Sequence, residues 1–498
     1  MIHHVMAIDQ GTTGTTVLLV CFDLGSDRAV RVIGRGYREF KQYFPEPGWV
    51  EHDLNEIWAS AEMAIEEALA SADFDARRID AIGITNQRET TAVWNKLGVP
   101  LHRAIVWQDR RTSGHCEQLR AEQLEPEFSR KTGLVLDPYF SGTKLRWLLD
   151  NVEGVAEAAK KDDLRFGTMD TWLLWRLTGG RVHVTDVTNA SRTLMFDVAR
   201  CTWDEDLCAA LGGIPDSALP EARSCAEVYG RTYGMDQLPD GIPVAGIAGD
   251  QQSSLFGQAC IEPGMAKCTY GTGAFALVST GERFLQSQHG MLSTIAWQLN
   301  GVTTYAIEGS VFVAGALVQW LRDGLGIIAS SADVETLART VKDSGGVTLV
   351  PALTGLGAPH WRPEARGVIH GLTRGTKRGH IARAALEGIA FQVRDLAGAM
   401  EADSGLEISE LRVDGGATAN ELLMQFQADL LNARLLRPAV LDTTALGAAY
   451  LAALGAGILS DPADVVALWQ FDKAFEGQSG EDEIQAHMAR WARALDKA

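Results

Sequence analysis

The chain writes the same local plan twice. Near its start, VMAI-DQGTTGTT-VLLVCF sets two short apolar runs around a glycine-bearing turn, and past its middle AKCTY-GTG-AFALVST does so again. Short, partly β-branched apolar runs around such a turn predict two buried strands in a tight hairpin. The first hairpin is followed by RAVRVIGRGYREF, a third strand, then by a helix over DLNEIWASAEMAIEEALA and a strand over IDAIGITNQ. In that helix Leu54, Ile57, Trp58, Ala61, Ile65 and Leu69 recur at helical spacing, and Asp53 with Glu56 resembles a capping box. After the second hairpin come a strand (TTYAIEGS), a helix over VFVAGALVQWLRDGL and a longer helix over HIARAALEGIAFQVRDLAGAM. ELRVDGGATANELLMQFQADLL then reads strand, Gly-Gly turn, helix. Two α/β halves that open alike predict a duplicated fold around a central cleft, divided into residues 1–255 and 256–498. With 498 residues and 46% hydrophobic composition the chain has material for two cores.

The turns carry more polarity than a bend needs. DQGTTGTT holds four threonines, two glycines and an acid. Gly11 and Gly14 let the backbone turn and be approached closely, while small hydroxyls and bared N–H groups suit a phosphate. It is not a P-loop, because no lysine precedes Lys41. Further polar groups follow apolar strands, where α/β folds place ligands: Asp9, NQRETT after Ile84, GDQQ after PVAGIA and DGG after Val413. Each also has a plain reading. Asp250 fits a helix N-cap, Arg88–Glu89 a structural ion pair, Trp107 and Phe275 core positions, and Asn420 a helix start. Taken together, Asp9 and Asp250 would share a site with Mg²⁺ and a phosphate, one near the metal and the other accepting a proton from an attacking hydroxyl. That describes an alcohol phosphotransferase; the same parts with water as nucleophile would make an ATP-driven conformational machine.

The bulk chemistry narrows the setting. A net charge of −19 argues against nucleic acid or an anionic membrane as partner. Seven dispersed cysteines with no C-x-x-C pair, and no signal-peptide pattern, fit a cytoplasmic protein. The most apolar helical run, ALGAAYLAALGAGIL, is short for a membrane span and rich in small residues, which predicts close packing in a core and no integral membrane segment.

AIDQGTTGTT, FPEPGWVEHD, GLVLDPYFSGTKLRWLLD, GIAGDQQSSLFGQ, TYGTGAF and RVDGGATANELLMQFQAD, spread over nearly the whole chain, resemble the FGGY carbohydrate kinases. TNQRETT and WQDRRT are similar to the branch that phosphorylates glycerol. The resemblance implies two ribonuclease H-like (actin/hexokinase-like ATPase) domains, ATP and Mg²⁺ as cofactors, glycerol as acceptor and a homo-oligomer, a dimer or tetramer. It implies that Arg88, Glu89, Tyr139, Asp250 and Gln251 meet the glycerol hydroxyls, that Trp107 and Phe275 enclose its carbons, and that Asp250 is the general base. Thr12, Thr13, Gly14 and Thr272 would lie by the phosphates, Asp9 near Mg²⁺, and Gly315, Gln319, Gly416 and Asn420 along the nucleotide. Two departures stand out: Thr16 replaces an arginine common in the family, and APHWR, with His360 and Arg362, replaces APYWD.

Overall fold

The structure, a computed structural model, describes residues 1–25 and 29–498. Six strands form the first sheet: β1 (Ile2–Gln10), β2 (Gly14–Asp23), β3 (Ala29–Glu39), β4 (Ala81–Asn86), β5 (Ala226–Arg231) and β6 (Pro243–Gly249), in the order β5-β6-β4-β1-β2-β3. Arg28, the first residue of the expected third strand, lies outside the described residues. Seven strands form the second: β7 (Ala266–Tyr270), β8 (Ala274–Gly281), β9 (Leu292–Leu299), β10 (Val302–Val311), β11 (Glu410–Asp414), β12 (Arg434–Pro438) and β13 (Phe471–Phe475), in the order β9-β10-β8-β7-β11-β12-β13. The two sheets repeat one wiring. An antiparallel meander (β1-β2-β3; β7-β8-β10) is joined on its first strand to a parallel strand (β4; β11), which is joined to another (β6; β12). The expected pair of similar α/β halves is therefore present.

The helices that serve the site are α1 (Leu54–Ser71), α2 (Ser141–Asn151), α3 (Val187–Ala190), α4 (Asp250–Gly257), α5 (Gly315–Asp323), α6 (Arg378–Ser404), α7 (Glu421–Leu431) and α8 (Thr443–Gly455). Helix α1 buries Leu54, Ile57, Trp58, Ala61 and Ile65 as its spacing predicts. Its capping box is only half made. The Asp53 carboxylate accepts the Asn55 and Glu56 N–H groups, but Glu56 Oε1 instead accepts the Tyr43 hydroxyl at 2.6 Å. Helix α5 starts later than the sequence predicts. Val311 still belongs to β10, and the Ala314 and Gly315 N–H groups donate to Thr272 and Gly271 carbonyls, so the intervening stretch is tied to the second hairpin.

Helix α8 is apolar on every side after its two opening threonines and enclosed from Ala445 to Ala453, with Ala448, Ala449, Leu451, Ala452 and Ala453 at 0% exposure. Although it comes late in the chain, it packs on β1, β4 and β6 of the first sheet. Backbone meets backbone there: a Cβ placed on Gly83 would sit 2.1 Å from the Ala448 carbonyl oxygen. Gly83→Ala is therefore expected to destabilise the fold by about 3 kcal/mol, because neither β4 nor α8 can retreat in a close-packed core. Urea unfolding measures this, and a midpoint equal to that of the parent would contradict it.

Candidate active site

The first hairpin is held by its carbonyls. Gly11 C=O accepts from Gln10 Nε2 at 2.7 Å and Gln87 Nε2 at 3.2 Å, and Thr12 C=O accepts from Gln42 Nε2 at 3.0 Å. The Thr12 and Thr13 N–H groups have no protein acceptor among the described residues. Gly14 is required at the turn's end, since a Cβ there would lie 2.8 Å from the Tyr37 ring and the Arg38 carbonyl. The second hairpin repeats the arrangement. Thr272 C=O accepts the Ala314 and Ala316 N–H groups at 2.9 and 3.0 Å, Gly271 C=O accepts that of Gly315 at 2.9 Å, and Thr272 itself is exposed. Anchored carbonyls beside unpartnered amides are the backbone arrangement that suits an anion.

Asp9 is the last but one residue of β1, directly opposite Thr16 on β2. Burial, together with the charges of Asp250 and Asp442, pushes its carboxyl up to about 7. Among the described residues no hydrogen bond or ion pair holds it. Asp250 is the first residue of α4, and Gly249, not Asp250, occupies the N-cap position. The N-cap reading therefore fails for this residue. Its Oδ1 accepts the Gln251 N–H at 2.7 Å and faces Arg88 Nε at 3.0 Å, while Oδ2 has no protein partner among the described residues.

Arg88 and Glu89 lie at the end of β4 and are 3% and 1% exposed, so neither is a surface residue. They are not chiefly each other's partner either, since Arg88 Nε stands 3.9 Å from Glu89 Oε1. Arg88 binds Glu308 of β10 through both terminal nitrogens, at 2.5 and 3.0 Å. Arg192, just after α3, binds Glu89 Oε1 at 2.6 Å and Glu308 Oε1 at 3.1 Å. Burial opposes ionisation of Glu308, but Arg192 and Arg88 outweigh it and hold its carboxyl at about 2. Burial raises the Glu89 carboxyl, against the pull of Arg192 and Arg88.

The Glu89 backbone is left-handed, with φ of 61°. Its carbonyl accepts from Ser141 Oγ at 3.0 Å, Thr91 Oγ1 at 3.2 Å and Lys144 Nζ at 3.3 Å, which hold this unusual conformation in place. Lys144 of α2 also donates to the Tyr139 carbonyl at 2.5 Å; burial pushes its amine down to about 7.

One face of the second sheet completes the cluster. Lys267 and Thr269 of β7 stand opposite Leu277 and Phe275 of β8, which stand opposite Glu308 and Ser310 of β10. Directly opposed residues share a face, and period two keeps them there. Lys267 Nζ donates to Gln251 Oε1 at 2.5 Å and Thr269 Oγ1 at 2.9 Å. Trp107 and Phe275 are half-buried, so the core reading fails for both. The Trp107 Nε1–H donates to Thr12 Oγ1 at 3.0 Å, and its ring meets Tyr139 edge to face at 5.7 Å. Contacts thus run unbroken from the first hairpin through Trp107, Tyr139 and Lys144 to Glu89, Arg192, Glu308, Arg88, Asp250, Gln251 and Lys267.

The remaining expected residues lie around the second hairpin. Gly315 opens α5 beneath it, Gln319 lies exposed one turn further, and Gly416 is in the short turn after β11, packed on β7. Asn420 behaves as the plain reading predicts: its Oδ1 caps α7 by accepting the Leu423 N–H at 2.9 Å. Asp414, at the end of β11, accepts from Ser254, Gln258 and Thr443 at 3.1, 2.8 and 2.6 Å, which pins α4 and α8 to the second sheet.

Residues 4–257 match the N-terminal domain, and residues 266–456 the C-terminal domain, of the FGGY family of carbohydrate kinases. The chain belongs to the FGGY carbohydrate kinases. It is 56% identical over 498 residues to a glycerol kinase of Myxococcus xanthus, covering 99% of both chains. It is 53% identical over 496 residues to a glycerol kinase of Deinococcus radiodurans, covering 99% of this chain and 97% of that protein. The crystal structure of Plasmodium falciparum glycerol kinase with ADP superposes with a TM-score of 0.92 at 35% identity, covering 100% of this chain and 98% of that one.

Both departures from the FGGY pattern have places in the structure. Thr16 leaves Asp9 without a cationic neighbour directly across the ladder. His360 Nε2 stands 2.9 Å from Asp395 Oδ2, which also accepts the Trp491 Nε1–H at 2.7 Å, and Arg362 donates to the Ala498 and Leu495 carbonyls at 2.6 and 3.2 Å. In this FGGY chain the loop is thus fastened to α6 and to residues 491–498, and the Trp361 ring meets that of Phe312 edge to face.

Arg192, Glu308, Lys144 and Lys267 do not stand out in the sequence, whereas Asp414 is the acid of the DGG that follows Val413. A signal existed for two of them: Glu308 in TYAIEGSV and Lys267 in MAKCTY are the lone charges in otherwise uncharged strands. A lone charge buried in a strand must find a partner.

Proposed function

We propose that this FGGY kinase transfers the γ-phosphoryl group of ATP to glycerol, giving sn-glycerol 3-phosphate and ADP. The observation that carries the reading is the convergence of Arg88, Glu89, Tyr139, Asp250 and Gln251 through direct contacts beside the first hairpin. The close relatives named glycerol kinase support the same acceptor.

The chemistry follows from the groups in place. Glycerol offers only hydroxyls and CH faces. Arg88 and Glu89 supply donors and acceptors for the former, and Trp107 and Phe275 supply walls for the latter. Those walls also exclude water, a competing nucleophile. Asp250 Oδ1 is committed to Arg88 and Gln251, which leaves Oδ2 to take the proton from the attacking hydroxyl. The free amides of Thr12 and Thr13, the Thr12 hydroxyl, which accepts from Trp107 and keeps its own proton to give, and the Thr13 and Thr272 hydroxyls receive the phosphates on either side of the transferred group. Gly315, Gln319, Gly416 and Asn420 line the rest of the nucleotide.

Mg²⁺ fits Asp9, near the end of β1. Among the described residues no group of three or more His, Cys, Asp or Glu forms a metal cage. Mg²⁺ in kinases is held instead by one or two carboxylates together with waters and substrate phosphates. Asp9, half-buried, unpaired and pushed up to about 7 by burial and its acidic neighbours, is the carboxylate that a cation would relieve. Bound there, Mg²⁺ would neutralise charge on the phosphates. Asp9→Asn is expected to raise the KM for nucleotide by about tenfold, with part of the loss recovered as Mg²⁺ is raised, because weakened metal binding yields to mass action. A loss independent of Mg²⁺ would assign Asp9 to the fold.

The reading places the chain in a reducing cytoplasm, supported by seven free cysteines. It also includes a dimer or tetramer, which sedimentation velocity would reveal. The deciding experiment is ADP release, measured by a coupled assay with and without glycerol. Strong acceleration by glycerol, and far less by xylulose, is expected. Equal rates with both acceptors would reject glycerol specificity, and equal rates with and without acceptor would reject the transfer.

A further inference from the structure

We propose that Glu308 is a positioning residue for the acceptor site: by taking both terminal nitrogens of Arg88, it keeps that fork off Asp250, which meets Arg88 only at Nε, and leaves Asp250 Oδ2 open to the acceptor. The inference rests on the glycerol reading and deepens it.

The geometry is specific. An arginine fork matches one carboxylate bidentately through its two terminal nitrogens, and here Nη1 also donates to Gln252 Oε1 at 3.3 Å. Two carboxylates compete for Arg88. Glu308 holds Nη1 at 2.5 Å and Nη2 at 3.0 Å, while Asp250 Oδ1 meets Nε at 3.0 Å. Without Glu308 the unsatisfied fork would turn onto Asp250, the nearest remaining acid, and engage both of its oxygens. The proton-accepting oxygen would then be occupied by the residue meant to orient it.

Glu308 is itself held for this task. It sits on β10 between Leu292 of β9 and Leu277 of β8, neither of which offers it a hydrogen bond, and it is 2% exposed. Its polar partners are Arg88 and Arg192. Arg192 also binds Glu89, so the two acids, Glu89 and Glu308, are spaced by one shared cation. Lys267, on the same face, is occupied by Gln251 and Thr269 and does not compete for Glu308. The carboxylate comes from the second sheet and the arginine from the first. The orientation of the acceptor site is thus set by a residue outside the half that supplies Arg88, Glu89 and Asp250.

The test is steady-state kinetics of Glu308→Gln and Glu308→Asp with glycerol and ATP varied separately. Glu308→Gln should lower kcat/KM for glycerol by about a hundredfold while the KM for ATP stays within about twofold, since the nucleotide contacts lie at the hairpins. Glu308→Asp keeps the charge, and with it the fold, but withdraws the carboxylate; it should lose roughly tenfold in the same parameter. If Glu308 served only to neutralise Arg88, Glu308→Asp would match the parent, and that result overturns the proposal. An equal rise in both KM values overturns it too. In an Arg88→Lys background, adding Glu308→Gln should change kcat/KM by less than about twofold, because lysine has no fork to orient; additive losses reject action through Arg88. If the parent enzyme releases ADP no faster with glycerol, the glycerol reading fails and takes this inference with it. If the parent responds and both Glu308 variants keep its kcat/KM, this inference alone fails.

Discussion

Asp250→Asn lowers kcat by roughly 10²–10⁴-fold and leaves nucleotide binding intact, the range general-base catalysis contributes. Asparagine keeps the size of the side chain, and its amide oxygen still accepts the Gln251 N–H beside Arg88 Nε, so the start of α4 is undisturbed. What the amide cannot do is accept a proton at neutral pH. The loss should fall on kcat because the contact with the attacking hydroxyl matures only as that hydroxyl sheds its proton. Mg²⁺ should not restore the rate, which separates Asp250 from Asp9. Steady-state kinetics over a Mg²⁺ series, with ADP binding measured by calorimetry, gives the answer. A folded variant with near-parental kcat would remove Asp250 from the chemistry, and equal rescue of both variants by Mg²⁺ would merge the two roles.

Arg192→Met destabilises the fold by about 3–5 kcal/mol, the cost of leaving a buried charge uncompensated. Arg192 is 0% exposed, and its guanidinium is shared by Glu89 and Glu308, both essentially sealed from solvent. Arg88 alone would then face Glu89, Glu308 and Asp250. Methionine fills much of the arginine stem's volume, so the loss is of charge more than of packing. Urea unfolding reads the effect directly. Adding Glu89→Gln to Arg192→Met should recover part of the lost stability, since it removes one of the stranded charges; strictly additive losses would mean that the two side chains do not depend on each other.

The architecture was legible because it rests on periodicity. Strand–glycine–strand patterns gave β1-β2 and β7-β8, and the 3.6-residue spacing gave α1 and α6. The site was legible at strand ends, where Asp9, Arg88, Glu89 and Asp250 follow apolar runs. What escaped was partnership across distance. Nothing in NQRETT announces that Arg88 will choose Glu308 over its neighbour Glu89, because 220 residues separate the pair and only the folded sheets bring them together. Arg192 is equally silent in TNASRT, where it reads as a loop residue. The capping box failed for a related reason. Glu56 had the right spacing, but a tyrosine hydroxyl distant in sequence offered a competing bond. Local rules find elements and the ends of elements; they do not rank competing partners that arrive from elsewhere in the chain.

Helix α8 has a consequence for biosynthesis. Val5, Ala7, Leu18, Val20, Ala81 and Ala245 of the first sheet share one apolar cluster with Ala448, Leu451 and Ala452. As the chain leaves the ribosome, that face of the first sheet lacks the cover of α8 until residues 443–455 emerge, long after its strands. The strands made first must wait for a helix made much later. A nascent chain halted before residue 443 therefore carries an open apolar sheet face, and it is this late arrival that commits the first half to its final fold.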